Sequence, residues 1–462
     1  MRLKPIPKMK AGRPCNARRL QQGAATLIVV MVLFFIISLV AAYTSRNLIF
    51  QQRTANNQYR STQALEVAEA GLEWAISMLN HGRIDDACVG STNTANTTFR
   101  QRYLDVDDAG RMTARPNAAG GDLLPTCVSN GTGGWTCSCP TTGASTLVPS
   151  STTTQVLPAF RVRFQRIIPS DPVNSALARQ PGLVRVQVVG CTRLDAPTGD
   201  QCLTFNGQGV FNEAQVIISS MLALTGGASS PPQAALTAKG AVAITGVYSA
   251  YNTAAAGSGI TVQAGGTIAT PVGTTLRSSP GSPGDRASII EDDLALALPS
   301  VTFPVSLRPP FLSSDRMFAA VFNLRPEVFR DQQAAIELSC PCSADDVRAK
   351  ASLNPGRPIW VAGDLDVNTA GPIGSAAEPV LLVVNGNLLF TLSGVNIYGL
   401  VYMRTSNWAT SGAGQIIGAA VAEGAISGGA STTFAFDPTV MQRLRWNTGS
   451  FVRVPGSWKD YQ

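Results

Sequence analysis

Histidine and charge are both scarce in this chain. Only 14% of its 462 residues are charged, and His81 is its single histidine. Most acid–base triads and most zinc or iron sites draw on at least one histidine, often several, so those chemistries lose their usual ligand. His81 precedes Gly82 where a helical pattern stops, a place where an imidazole meets the helix dipole favourably. No Gly-x-Ser-x-Gly elbow and no phosphate-binding loop occurs in a strand–helix context. The net charge of +7 is also local. Arg2, Lys4, Lys8, Lys10, Arg13, Arg18 and Arg19 all fall in the first 22 residues, which hold no acid. The remainder carries as many acids as bases, so it offers no electrostatic footprint for nucleic acid. With 43 Gly and 29 Pro beside 45% hydrophobic residues, the composition is that of a β-rich extracytoplasmic protein.

What the chain has in place of charge is one long apolar run. Ala24–Ala42 is almost wholly apolar, and Gly23–Ser45 has no charge, which is enough to cross a bilayer. The seven preceding positive charges hold the first 22 residues in the cytoplasm and place the rest across the membrane. A secretory signal would have a shorter run followed by a small-x-small site. Here the distinctive junction, Gln21-Gln22-Gly23-Ala24, precedes the run, and so does Cys15, which rules out lipoprotein acylation. No Pro or internal Gly interrupts Ala24–Ala70. Leu65, Ala68, Leu72, Ala75, Ile76 and Leu79 continue at helical spacing, with Glu66, Glu69 and Glu73 on other faces. One helix over about 24–80 is expected, with its second half packing one stripe on a globular domain. A plain signal anchor explains the charge and hydropathy but not this amphipathic continuation.

A basic leader ending in Gly, followed by an apolar helix with an amphipathic second half, resembles a type IV prepilin. The run Gln63-Ala64-Leu65-Glu66-Val67-Ala68-Glu69-Ala70-Gly71-Leu72-Glu73-Trp74 is similar to the helix of PilX-type minor pilins. The resemblance implies cleavage after Gly23 by a prepilin peptidase and N-methylation of Ala24. It implies filament-helix packing through Ile28, Leu65, Glu69 and Leu72. It further implies an inner-membrane protein with a periplasmic head that later joins an extracellular pilus. The implied partners are other minor pilins, the major pilin and a large tip adhesin. Two departures stand out. The mature chain would begin with Ala24, where major pilins begin with Phe or Met. Ile28 also occupies the fifth mature position, where they carry Glu, which argues against a bulk filament subunit.

Beyond the helix, 85–155 is rich in Thr, Ser, Asn, Gly and Asp and reads as a long looped region. Phe160, Val162 and Phe164 alternate with polar residues, as do Val184, Val186 and Val188, and Gln215–Leu222 supplies a third strand. These predict an antiparallel, pilin-like head over 85–225. From 226 to 436 short apolar runs recur between Gly and Asn, with Gly399 and Gly418 about one solenoid coil apart. A small right-handed β-helix is expected there, a β-sandwich being the alternative. A helical insertion is expected at 300–355: one helix after Ser314-Asp315, a second from Pro326 to about Leu338, a third from Ser343. Residues 437–462 are left as a C-terminal tail. The fold class is thus α+β.

Eight cysteines remain after Cys15 leaves with the leader: Cys88, Cys127, Cys137, Cys139, Cys191, Cys202, Cys340 and Cys342. An even count in an exported domain reads as disulfides, with Cys191–Cys202 the simplest pair to assign. A Cys₄ metal site from Cys137, Cys139, Cys340 and Cys342 has one intervening residue per pair where zinc sites have two to four. No cofactor and no metal are expected. Asp364 and Asp366 would share a strand face, as carboxylates of β-helix polysaccharide-cleaving enzymes can, but with no convergent Arg or Lys nearby. The function read from the sequence is a non-enzymatic minor pilin that helps initiate and cap pilus assembly at the tip. A membrane-anchored β-helix enzyme and a type II secretion pseudopilin are the alternatives.

Overall fold

The computed structural model describes residues 21–143, 147, 157–165, 180–192, 201–205, 214–255, 257–278, 286–297, 315–339, 341–391, 393–404, 408–429 and 432–460. Its contacts divide the chain into two units, 1–62 and 63–462. The described part of the first unit is helical throughout, belonging to a helix over Gln21–Leu79. Its apolar side chains, Leu27 to Phe50, are exposed, and an 18-residue window reaches a mean hydropathy of 2.8. A helix with no internal proline satisfies its own backbone, which is what a membrane span requires.

In the second unit, the head is a six-stranded antiparallel sheet. Its spatial order is Ser450–Arg453, Gln215–Thr225, Leu183–Cys191, Ala159–Gln165, Thr126–Ser129 and Trp135–Ser138. The predicted alternation sets its register: Phe160, Val162 and Phe164 face the core together with Val184, Val186 and Val188. Residues Gln63–Leu79 of the long helix lie on this face, burying Ala64, Ala68, Leu72, Ala75, Ile76 and Leu79. The approach is close because glycine sits opposite alanine. A Cβ on Gly190 would fall 2.3 Å from the Ala64 carbonyl oxygen. The described residues of 85–155 are more ordered than their composition suggests. They hold a capped helical turn, Phe99–Tyr103, and the strands Leu104–Val106, Met112–Ala114, Thr126–Ser129 and Trp135–Ser138. Asx turns at Asp107, Asn117 and Asn130 supply the reversals that a polar sequence conceals.

The region after 226 is a β-solenoid with three strand positions per coil. On one face Ile336–Leu338, Ile359–Val361, Val380–Val384 and the ends of Val395–Met403 and Gln415–Ala422 pair in parallel, followed by Leu236–Ala238, Val262–Ala264 and Ile289–Ile290. A second face stacks Cys342–Ser343, Leu365–Val367, Leu388–Phe390, Trp408–Thr410, Ile426–Gly428 and Val242–Ile244. The all-parallel pairing of these strands excludes the sandwich alternative, whose sheets are antiparallel. Gly399 and Gly418 stack at one corner with φ of 149° and 135°; a Cβ on Gly399 would lie 1.9 Å from the Val380 carbonyl oxygen. Coil order in space is not coil order in sequence. The last coil, 415–436, lies against 236–251, the first, so the chain enters the solenoid in its middle.

Two expectations are corrected. The described residues of the 300–355 insertion, 315–339 and 341–355, are only partly helical. Helices Arg316–Phe322 and Pro326–Arg330 are followed by Ile336–Leu338 and Cys342–Ser343, which form the outermost coil before helix Ala344–Leu353. The second helix stops at Arg330 because Ile336 and Leu338 pair with Ile359 and Val361. The segment 437–462 is not a tail. Asp437 caps helix Pro438–Asn447, which buries Val440, Met441 and Leu444 on the solenoid, and Ser450–Arg453 then completes the head sheet beside Gln215–Thr225. Helices 316–330 and 438–447 together cover Trp360, Leu381, Val383, Leu400, Tyr402 and Val421, the outward residues of the first face. Burial on both sides is why those strands read as continuous apolar runs.

Beneath the 316–322 helix lies a buried charged group. Arg404 pairs with Asp315 at 3.0 Å and approaches Glu423 at 3.7 Å, while the Tyr402 hydroxyl donates to Glu423 at 2.8 Å. Burial pushes the Glu423 carboxyl up from 4.5 to about 7, and Asp315 adds to the shift against Arg404 and Tyr402. Between pH 4.5 and about 7 the folded chain therefore holds a proton there that the unfolded chain has released. This contribution to stability is complete below pH 4.5 and is lost as pH rises through about 7. Urea unfolding at pH 5 and pH 8 should show Glu423→Gln escaping a loss of roughly 1–3 kcal/mol. Identical pH profiles for the two proteins would contradict this.

Candidate functional site

The residues with sequence-level functional expectations lie on and around the long helix. Gly23 and Ala24 are in its first turns. Ile28 is on the apolar stretch and exposed. Further along, Leu65 is half-buried against the head, Leu72 fully buried, and Glu69 exposed to solvent. Leu65 and Leu72 thus serve the head's own core, and Glu69 is the one of the three that faces outward.

Sequence reasoning missed the polar anchor at the end of this helix. Asn80 donates to the Ile76 carbonyl at 3.0 Å and to Gln333 at 2.9 Å, and its carboxamide exchanges hydrogen bonds with the backbone of Phe451 at 2.8 and 2.9 Å. Arg83 reaches Ser352, Asn96 and Glu378 at 2.7, 2.6 and 2.6 Å. The Arg100 guanidinium donates to four carbonyls: Leu79 at 2.9 Å, Gly356 at 3.0 Å, Asn447 at 3.2 Å and Gly449 at 3.0 Å. It thereby satisfies the ends of two helices at once. Burial, and after it the charge of Arg357, pull Arg100 down to about 9. Arg102 fixes the loop that follows through Ile84, Asp86 and the Cys139 carbonyl. Head and solenoid meet at this anchor, beside a cleft of about 220 Å³ lined by Arg100, Asp105, Arg115, Glu378 and Trp446. The available signal was three arginines within 83–102 of a charge-poor chain.

The cysteines form Cys88–Cys139, Cys127–Cys137 and Cys191–Cys202. Cys342 is also disulfide-bonded, and Cys340 lies outside the described residues. Cys137 and Cys139 are thus each tied to a cysteine other than the metal partners considered, and no group of three or more metal-ligating side chains occurs among the described residues. His81 is exposed, its ring against Gly90. Asp364 lies just before the strand Leu365–Val367 and Asp366 within it. Asp364 accepts from the Asn387 amide at 2.7 Å and Asp366 from the Thr391 hydroxyl at 2.6 Å, both ties between successive coils.

Residues 22–73 match a family described as PilX N-terminal. No curated protein matches the chain. Among solved structures, it is similar to the competence-associated pilin ComZ from Thermus thermophilus. The identity is 11% over 87% of this chain and 97% of that one, with a TM-score of 0.22, too low to carry an argument. The likeness to PilX pilins therefore rests on residues 22–73.

Replacing Arg100 by Met should strand its carbonyl partners while keeping an unbranched apolar stem, shorter than the arginine, in the same place. Denaturant unfolding of the full chain is expected to show a loss of about 3 kcal/mol or more. A loss under 1 kcal/mol would mean that water replaces the guanidinium.

Proposed function

We propose that this protein is a minor pilin that helps initiate and cap a type IV pilus, held in the inner membrane by its long apolar helix before assembly. The observation that carries this reading is the PilX-type segment at 22–73 joined to a large head and solenoid. The pilin-type N-terminus speaks for a non-catalytic protein, and the two aspartates of the enzyme alternative are engaged in coil-to-coil hydrogen bonds. A secretion pseudopilin would share the helix. Co-purification with pilus rather than secretion components separates the two.

Gly23 would present a side-chain-free bond to a prepilin peptidase behind a basic leader. Mass spectrometry of the mature protein should find methylated Ala24 as its first residue. Retention of residues 1–22 would reject the prepilin reading.

Position in the filament rests on Ile28. A carboxylate there would neutralise the amino terminus of a neighbouring subunit, and an unpaired charge in lipid costs several kcal/mol. With Ile28 this chain offers no such partner, while its own amine can still be neutralised by a subunit added below. It is therefore suited to enter first and stay at the tip, with other minor pilins and a large tip adhesin around it. Immunogold labelling should mark filament ends at low copy number. Labelling along the shaft at major-pilin density would overturn this.

A further inference from the structure

The two edges of the head sheet are finished differently. At the Ser450–Arg453 edge, the Asn80 carboxamide occupies both backbone groups of Phe451, and Arg453 adds a charge paired with Glu73. Such devices keep a sheet edge from recruiting another strand. At the opposite edge, Trp135–Ser138 pairs only with Thr126–Ser129 and contains neither charge nor proline.

The backbone groups facing outward there follow from strand parity. In an antiparallel pair, residues directly opposite alternate between hydrogen-bonded pairs, with Cα atoms about 5.5 Å apart, and closer pairs without hydrogen bonds at about 4.5 Å. Cys127 and Cys137 are opposite each other with Cα atoms 4.1 Å apart, which makes them a pair of the second kind. Ser129 and Trp135, two residues along, are the same. Trp135 and Cys137 therefore aim their N–H and C=O groups away from the sheet. Cys139 follows this parity, and its N–H is taken by the Asp86 carbonyl at 2.8 Å. Trp135 and Cys137 have no such cover among the described residues.

This open stretch is also held rigid. Cys127–Cys137 ties it to its neighbour, and Cys88–Cys139 ties the residue just beyond it to the loop after the long helix. Little of it remains to be ordered on binding. Beside it Trp135 is 40% exposed, with its ring 4.9 Å from that of the buried Phe160. A rigid, half-exposed tryptophan is the kind of side chain that anchors an interface.

We propose that this edge binds an extended, uncharged peptide segment from another protein. The segment would add an antiparallel strand through the N–H and C=O groups of Trp135 and Cys137 and lay an aliphatic or aromatic side chain on the Trp135 indole. Main-chain hydrogen bonds would supply affinity, and the tryptophan would supply selectivity. The open length favours a segment over the folded edge of a second copy. Only two residues are free between the Asp86 contact and the 130–134 turn, and a single extended strand fits there without bringing a second head's flanking loops. The proposal does not depend on the pilus reading.

The test is hydrogen exchange of the full chain in detergent micelles, read at single residues by mass spectrometry. The probes are a capped Thr-Val-Thr-Val-Thr peptide at millimolar concentration and the same peptide with proline at its centre. The unmodified peptide should slow exchange at Trp135 and Cys137 at least tenfold and leave Thr136 unchanged, and the proline peptide should not. Trp135→Ala, which leaves the backbone edge in place, should raise the half-saturating concentration at least fivefold. Unchanged exchange, equal slowing by the proline peptide, or an unaltered half-saturation in Trp135→Ala would overturn the proposal. Slowing that depends on protein concentration without peptide would identify a second copy as the occupant and would overturn it as well.

Discussion

The last turn of any α-helix leaves carbonyl groups without intrahelical partners, and away from water each must find a donor. In this chain the end of the long helix at Leu79 is buried where head and solenoid meet. Its carbonyl is answered by Arg100, which also serves Asn447 at the end of the 438–447 helix and Gly449 just before the last head strand. Asn80 repeats the arrangement by pairing with Phe451 in that strand. Residues distant in sequence are thereby fixed to one point. The order of the chain explains why such a point is needed: the solenoid leaves the head after Thr225 and returns to it at Ser450, so both its connections run beside this anchor.

The parts of the fold that were legible in the sequence are those governed by local periodicity. Alternation at 160–164 and 184–188 located the head strands, and the spacing of Ala68, Leu72 and Leu79 located the buried stripe of the helix. Gly399 and Gly418 were legible for a different reason: a corner repeated in successive coils places each glycine against the carbonyl of the coil before, where no side chain fits. The illegible parts depend on pairing between distant segments. Nothing in Leu236–Ala238 says that its neighbours will be Ala420–Ala422 on one side and Val262–Ala264 on the other. Ile336-Glu337-Leu338 is short enough to continue a helix, and only its pairing with Ile359–Val361 makes it a strand. The anchor was hidden similarly, since a buried arginine is written in sequence like an exposed one.

The charge economy of the chain has a structural counterpart. Arg100, Arg102 and Arg83 are all buried, and much of their work is to satisfy backbone carbonyls rather than to pair with acids. Arg404 likewise lies over Phe318 and Trp360 while holding Asp315 under the helix that crosses the solenoid. These residues join layers of the molecule in places where a hydrophobic contact alone would leave main-chain groups unpaired.

If the anchor joins head and solenoid as described, the two cannot unfold separately, because removing either strips partners from Asn80 and Arg100. Scanning calorimetry of the full chain with its disulfides intact addresses this directly. The account predicts one cooperative transition for residues 63–462. Two resolved transitions, with the solenoid melting while the head stays folded, would contradict it.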